Sequence, residues 1–174
     1  AVEGVLGGLS EGVAKNTPII LMSPQGVTLD QGLASELAEY RSLVVICGHY
    51  QGVDARVRDH LATHELSKGD YILTGGELAA MVLVDCIARL LPGVVGSIES
   101  VNEDSITSGL LQYPLYTRPK EYRGWDVPEV LVSGNHLAIA RWRRQQSLLA
   151  TVNRRPDLLS WDDLSKEDKQ FLRA

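Results

Sequence analysis

Two charged residues lie where a carboxylate and a guanidinium could do chemistry. Arg89 comes near the end of a long apolar run, where a charged side chain needs a partner. Asp104 lies in the polar, acidic stretch 97–109, and it can act as a general base if that stretch closes over a substrate. A merely solvated carboxylate is the alternative interpretation. Arg89 and Asp104 are therefore the candidates for acid–base chemistry.

Three short segments rich in Gly, Ser and polar residues follow predicted strands. They are "SPQG" (23–26), "CGHYQG" (47–52) and "LTGGE" (73–77). Any one of them alone reads as a tight turn. Three in succession, at equivalent strand ends, predict a ligand crevice, because ligands of open parallel sheets bind beyond the carboxyl ends of the strands.

The elements that would position these segments follow a repeated order. Strands are predicted at 17–22, 42–48 and 70–73, and each is followed by a predicted helix, at 29–41, 53–62 and 75–91. Strand, turn and helix repeated three times predict an α/β fold with a parallel sheet. Thr74 and Glu77 have the spacing of a capping box, and Gly75 and Gly76 between them indicate a close approach to the backbone.

Composition narrows the class of protein. The chain has 174 residues, of which 44% are hydrophobic and 22% charged, enough for one domain with a core and a small addition. No apolar stretch is long enough to cross a membrane, and the two cysteines lie in apolar runs typical of free thiols in a cytosolic protein. Dinucleotide, P-loop, CxxC and HExxH motifs are absent, and the four histidines lack ligand-like spacing, so no metal site is predicted. A nucleotide-like ligand held by main-chain groups remains compatible.

The second half of the chain differs from the first in its pattern of predicted elements. Residues 97–109 are predicted to be a loop or linker, and 110–134 to be irregular. A helix is predicted at 135–155, with five arginines and no acidic residue, and a last one at 165–174 with Ser165 as its N-cap. The basic helix is either a solvated face or a nucleic-acid contact, although the net charge of the chain is −5.

Several long motifs together carry a family resemblance. "MSPQG" (22–26), "CGHYQGVDARV" (47–57), "GDYILTGGELAAM" (69–81), "ARLLPGVVG" (88–96), "NEDS" (102–105), "GLLQYPLYTRP" (109–119) and "VPEVLVSGNH" (127–136) occur in this order. The chain thereby resembles, over nearly its whole length, the bacterial tRNA (guanine-N1)-methyltransferases.

The resemblance implies a fold, a reaction and partners. The fold would be a SPOUT-type parallel sheet with a deep trefoil knot at 1–96, a linker and active-site loop at 97–109, and a small α-helical tRNA-binding domain at 110–174. The protein would be a cytoplasmic homodimer with an active site shared between subunits. It would transfer a methyl group from S-adenosylmethionine to N1 of the guanosine 3′ of the anticodon in tRNA.

The resemblance also assigns residues. Asp104 would take the N1 proton, and Arg89 would support the guanine. The residues that would bind the methyl donor are Met22, Ser23, Pro24, Gly48, Tyr50, Gln51, Lys68, Gly69, Asp70, Tyr71, Ile72, Leu73, Gly75 and Gly76. The residues that would bind tRNA are Ser100, Ser133, Asn135, His136, Arg141, Arg143 and Arg144.

This chain departs from the family pattern at a few positions. Gln51 stands where the family usually has Glu, which weakens the expectation of a Mg²⁺ ion, since an amide offers less to a cation than a carboxylate. Lys68 adds a charge, and the upstream segment with the family's first strand is absent, so we expect an N-terminally incomplete member. Two alternatives stay open: a knotted tRNA-binding protein or truncated relative with impaired catalysis, and another SPOUT methyltransferase that acts on ribose or ribosomal RNA.

Overall fold

The structure is a computed structural model that describes residues 1–96 and 104–173. The chain divides into two compact units, Ala1–Gly96 and Ser97–Ala174. The predicted linker at 97–109 falls largely on residues 97–103, which lie outside the described residues.

The first unit alternates helices and strands, as the sequence predicts. Its helices are α1 (Val2–Gly7), α2 (Glu11–Lys15), α3 (Gln31–Ala38), α4 (Ala55–His60) and α5 (Glu77–Ala88). Its strands are β1 (Ile19–Thr28), β2 (Val44–Cys47) and β3 (His64–Ser67). All pair in parallel in the order β2-β1-β3, which confirms the parallel α/β class.

The predicted third strand at 70–73 is wrong. The strand is His64–Ser67, which pairs with β1 from Ile20↔His64 to Thr28↔Ser67. Its polar first half hides it from a search for apolar runs, although Leu66 and Ser67 are buried. Residues 70–73 instead belong to a loop that begins at Gly69, which has a φ of +132°.

Two local predictions around the loops also need correction. The segment 23–26, predicted to be a turn after a strand, lies inside β1. The predicted capping box does not form, because α5 begins at Glu77 with Gly76 as its N-cap and no side-chain cap. The Glu77 carboxylate instead contacts the His49 ring, in the loop after β2.

The core of the first unit fixes α5 against the sheet. Ile20, Leu37, Leu66 and Leu83 are fully or almost fully buried, and α5 contributes a stripe at Ala79, Leu83 and Ile87. This spacing of four residues places the three side chains on one helix face. The other faces of α5 expose Leu78, Met81, Val82 and Val84.

The second unit contains a hairpin and three α-helices among its described residues. They are β4 (Glu121–Tyr122), β5 (Trp125–Asp126), α6 (Glu129–Val132), α7 (His136–Arg154) and α8 (Lys166–Arg173), with a 3₁₀ turn at Pro156–Leu158. The predicted long helix at 135–155 is confirmed within one residue at each end. The stretch 110–134, predicted to be irregular, contains the hairpin and α6.

Buried contacts hold α7 and α8 together. Leu110, Leu148 and Leu164 form the core of this unit. Ser165 caps α8 as predicted: its Oγ accepts from the N–H of Asp168 at 3.0 Å, and the Asp168 carboxylate accepts from the N–H of Ser165 at 3.2 Å. Of the helices in the described ranges, not one is long and apolar enough to cross a bilayer.

Candidate active site

A cavity of about 310 Å³ lies beyond the carboxyl ends of the three parallel strands. Three segments surround it: the part of β1 from Met22 to Gln25, the loop 48–53 after β2, and the loop 68–76 after β3. Its volume is at the lower end of the range for small-molecule sites. A cavity is therefore present where these three segments meet, although the first of them lies inside β1 and not at the end of a strand.

The first segment enters the cavity because β1 is interrupted by a bulge. Leu66 of β3 pairs with both Met22 and Val27, so the four residues between them leave the ladder. The bulge closes tightly at Gly26, where an added Cβ would overlap the backbone of Glu65 and would lie 2.5 Å from the Leu66 nitrogen. Glycine is therefore required where β1 returns to the sheet.

The second and third segments are joined by main-chain contacts. His49 and Gly75 form an isolated antiparallel bridge, and the N–H of Gly76 donates to the Gly48 carbonyl at 2.9 Å. An added Cβ on Gly76 would lie 2.8 Å from Cys47 Cα, so these backbones touch. The close approach expected at Gly75 and Gly76 is thus met by the neighbouring loop, and both glycines also line the cavity.

A side-chain contact reinforces this junction. His49 Nε2 contacts Glu77 Oε1, and both side chains are about half exposed. Below them lies Cys47, a free thiol whose pKa is raised by burial and, to a smaller extent, by the negative charge of Glu77. A raised pKa keeps this thiol protonated near neutral pH, and so unreactive.

The residues predicted to bind a methyl donor gather at this cavity, with the exception of Asp70, which is not among the residues lining it. The exposed side chains of Tyr50, Tyr71 and Ile72 lie at its edge. Within the described part of the chain, Ile72 and Leu73 make no main-chain hydrogen bond, so their amide and carbonyl groups are available to a ligand. Such groups suit the hydrogen-bonding edge of a purine.

Sequence reasoning missed some polar residues of the cavity. His49, Arg58 and Glu65 also line it, and the Arg58 guanidinium reaches Gln25 Oε1 at 3.4 Å. A hydrogen bond from Arg58 to Asp59 raises the pKa of the arginine, which stays charged. The signal for Arg58 was its place on α4, directly after loop 48–53, because long helical side chains lean back toward the N-terminal end of their helix.

Arg89 and Asp104 belong to different units. Arg89 is the C-cap of α5 and is half-buried, and its N–H donates to the Asp85 carbonyl at 3.3 Å. Asp104 is half-buried at the start of a turn. Neither lines the cavity of the first unit.

The turn that carries Asp104 is anchored to α7. Leu110 is buried, and the N–H of Leu111 donates to Thr151 Oγ1 at 2.9 Å. Thr151 is fully buried and donates in turn to the Ser147 carbonyl at 2.7 Å. Ser105 Oγ also accepts from the N–H of Gln112 at 2.9 Å, so the residues after Asp104 are held at both ends of the turn.

The residues expected to bind tRNA include two with structural contacts on α7. The guanidinium of Arg143 lies 4.7 Å from the ring centre of Tyr113. Arg144 makes two hydrogen bonds to the carboxylate of Asp168, at 2.9 and 3.2 Å. That hydrogen-bonded pair, aided by Ser165 and opposed by burial, lowers the pKa of Asp168.

The other expected tRNA residues lie around the start of α7. Asn135 is its N-cap, with the side-chain oxygen accepting from the N–H of Ala138 at 3.1 Å, and Ser133 donates to the Val130 carbonyl at 2.8 Å. His136 and Arg141 are exposed. Ser100 lies outside the described residues.

Metal ligands do not cluster in the part of the chain that the structure describes. No group of three or more His, Cys, Asp or Glu side chains there could hold a metal ion. Among the residues that line the cavity, Glu65 is the one carboxylate, and Gln51 offers only an amide. The residues present therefore do not fit a Mg²⁺ site.

The parallel sheet defines an α/β protein, and its cavity has the size of a small-molecule site. The family model of the tRNA (guanine-1)-methyltransferase TrmD matches residues 2–161 of the chain. The chain belongs to this family.

Relatives named tRNA (guanine-N(1)-)-methyltransferase support the assignment. The protein from Moorella thermoacetica is 59% identical over 99% of this chain and 68% of its own length. Another from Dehalococcoides mccartyi is 58% identical over 89% of this chain and 62% of its own length. The protein from Halalkalibacterium halodurans is 54% identical over 91% of this chain and 65% of its own length. The chain thus spans about two thirds of the length of these relatives.

Proposed function

We propose that the protein transfers a methyl group from S-adenosylmethionine to N1 of guanosine 37 of tRNA, 3′ of the anticodon. The observation that carries the proposal is the gathering of three segments, 22–25, 48–53 and 68–76, around one cavity, in a chain that belongs to the tRNA (guanine-1)-methyltransferase family. A cytoplasmic location with its tRNA substrate follows from the same proposal.

In this proposal the cavity of the first unit would hold the adenosyl part of the donor. Ile72 and Leu73 offer main-chain amides and carbonyls for an adenine edge, and Tyr71 and Ile72 offer apolar surface. The segments that would hold the donor are residues 22–24, 48–51 and 68–76. When bound, S-adenosylmethionine supplies an electrophilic methyl group on a positively charged sulfur.

The chain would supply the base and the anchor for the acceptor. N1 of guanine carries a proton at neutral pH and is a poor nucleophile. In the proposed reaction the Asp104 carboxylate would take this proton as the N1 lone pair forms the new bond to the methyl carbon, while the bond from that carbon to the donor sulfur breaks and its electron pair stays on sulfur. Arg89 stabilises negative charge that develops on the guanine.

The target base must leave its stack to react, and the second unit would grip the tRNA. Base-modifying enzymes extrude the nucleotide that they modify. Arg141 and Arg143, both exposed on α7, would provide positive charge for the RNA backbone, and the exposed His136 lies at the start of the same helix.

The proposal includes a SPOUT-type fold with a deep trefoil knot and a homodimer with shared active sites. The support for the dimer is the exposed apolar side of α5 at Leu78, Met81, Val82 and Val84. Contiguous apolar surface of this kind marks interaction sites in soluble proteins. Met81→Glu should lower the dimer fraction measured by analytical ultracentrifugation. An unchanged dimer fraction would show that this side of α5 is not the dimer interface.

A single-turnover assay tests the reaction. The full chain should methylate a tRNA transcript with guanosine at position 37 and should leave a transcript with adenosine there unmodified. Asp104→Ala should lower the rate of the methyl-transfer step by about 10² to 10⁴, the usual worth of a general base. Its affinity for S-adenosylmethionine should stay close to that of the wild type, since the proposed role of Asp104 is to take a proton from the guanine. A wild-type rate in this variant would remove Asp104 from its role.

Gln51 favours a second candidate function, a tRNA-binding protein with impaired catalysis. It lines the cavity where a carboxylate was expected. The same assay separates the two candidates, since tRNA binding with no methyl transfer would favour the second.

A further inference from the structure

The second unit contains a cavity of its own, of about 340 Å³. The segment 113–118 forms one wall, and residues from α6 and α7 form the other, with Val127, Leu131 and Ile139 providing apolar surface. A site of this size suits a ligand as small as one nucleotide. We call it the Tyr113 cavity.

The charges that line the Tyr113 cavity are all positive. They are Arg118, Lys120 and Arg143, and none of the residues lining it is acidic. Within residues 104–173, no ion pair neutralises any of these three cations. Glu121, next to Lys120 in sequence, accepts from the N–H of Gly124 instead, in the β4–β5 turn. Three unneutralised cations around one cavity, in a chain of net charge −5, mark an anion site.

Two tyrosines give the cavity flat surfaces. The guanidinium of Arg143 lies over the Tyr113 ring at 4.7 Å from its centre, which holds the cation in place. Tyr116 packs against Trp142 with ring centres 6.4 Å apart, and Tyr116 remains 47% exposed. A ring supported on one side and open on the other is a stacking surface for a base.

We propose that the Tyr113 cavity binds one nucleotide of the tRNA substrate, with the phosphate on Arg118, Lys120 and Arg143 and the base stacked on Tyr116. This inference rests on the proposed function. Cations together with an open aromatic ring match both parts of a nucleotide, whereas an acidic peptide would use the cations alone. Arg141 is also exposed on α7, but it does not line the cavity.

Two variants of the full chain separate the phosphate contacts from the stacking contact. Arg118→Gln/Lys120→Gln should weaken tRNA binding about 5- to 20-fold and lower the slope of log affinity against log salt by roughly 2. Tyr116→Leu should weaken binding about 5- to 100-fold with no change in that slope, since stacking releases no counterions. Lys166→Gln is the matched control, because Lys166 is an exposed cation away from the cavity, and it should bind tRNA as the wild type does.

Fluorescence anisotropy of labelled tRNA over a range of salt concentrations measures these effects. Cavity variants that bind tRNA like the Lys166→Gln control would overturn the inference. Poly-glutamate tests the acidic-peptide alternative: variants that lose binding to poly-glutamate but not to tRNA would also overturn the inference. Guanosine 5′-monophosphate gives the second arm of the experiment. If this nucleotide binds the wild type but not the cavity variants, and does so without displacing bound tRNA, the cavity belongs to a free nucleotide and the tRNA assignment is overturned.

The failure of this inference is distinguishable from the failure of the proposed function. A wild-type chain that binds no tRNA, or binds no S-adenosylmethionine by calorimetry, refutes the proposed function. A wild-type chain that binds and methylates tRNA, with cavity variants equal to the control, refutes only the nucleotide site.

Discussion

Replacing Gly76 with alanine tests the junction of the two loops, 48–53 and 68–76, that line the cavity proposed to bind the methyl donor. The backbone of Gly76 has φ −77°, which alanine adopts without strain, so the effect of the substitution is steric. The new Cβ would lie 2.8 Å from Cys47 Cα, 3.1 Å from the Gly48 nitrogen and 3.2 Å from Cys47 Cβ. Favourable carbon contacts lie at about 3.5–4.0 Å, so the backbones must separate by roughly 0.7 Å.

The expected magnitude follows from this displacement. Overpacking of a buried site costs about 1–3 kcal/mol, and only part of that is offset by the lower entropy of the unfolded alanine chain, about 0.4–1 kcal/mol. We therefore expect the free energy of unfolding to fall by about 1–2 kcal/mol. The affinity for S-adenosylmethionine should fall as well, because the separated loops line its cavity.

Urea unfolding at fixed protein concentration and calorimetric titration with the donor measure both effects. Gly12→Ala is the matched control: Gly12 lies in α2 with no atom within 4 Å of an added Cβ. That variant should gain about 0.5–1 kcal/mol of stability, since glycine inside a helix is unfavourable, and should bind the donor normally. If Gly76→Ala gains stability as the control does, the packing argument is refuted.

Three further predictions concern other contacts. The pKa of Asp168 is lowered in the folded state, chiefly by Arg144, so the stability that this carboxylate contributes is present above its unfolded pKa of about 3.9 and is lost as the pH falls below that value. Urea unfolding between pH 6 and pH 2.5 should show this loss in the wild type and not in Asp168→Asn. An equal dependence of stability on pH in the two proteins would contradict the prediction. His49→Ala and Glu77→Gln should each weaken donor binding, and their effects in the double variant should be less than additive, as a double-mutant cycle detects; additive effects would show that the contact does not hold the loops. Thr151→Val should cost about 1–3 kcal/mol of stability in urea unfolding, since it leaves the Leu111 N–H unpaired, whereas Thr151→Ser should retain most of the stability.

The strand-end loops could be predicted from the sequence because short polar, glycine-containing segments between apolar runs are a local signal. The identity of the third strand could not be predicted in the same way. His64 and Glu65 begin β3 at the sheet edge, where half the side chains need not be apolar, while Tyr71 and Ile72 have strand-like side chains in an exposed loop. Pairing with β1 decides which of the two segments forms the strand, and the sequence of one segment alone does not determine its pairing partner.

Contacts between distant residues account for most of what the sequence could not show. The basic helix was found from its composition, yet the contact of Arg144 with Asp168 joins residues 24 positions apart. The cations of the Tyr113 cavity come from a loop and a helix that only the fold brings together. Gly76 was identified as a site of close approach, but whether a ligand or another loop approached it depended on where Cys47 lay.

The dimensions of α5 bear on how the proposed active site is completed. Ala79, near the start of the helix, lines the donor cavity, and Arg89 is the C-cap at the other end. Ten residues of α-helix separate them, which corresponds to about 15 Å along the axis, farther than an arginine side chain reaches. Arg89 therefore does not reach the cavity of the same chain along its own helix. A role for Arg89 at the guanine thus favours a cavity that a second subunit completes, and the exposed apolar side of α5 between these two residues is the surface on which such a subunit would pack.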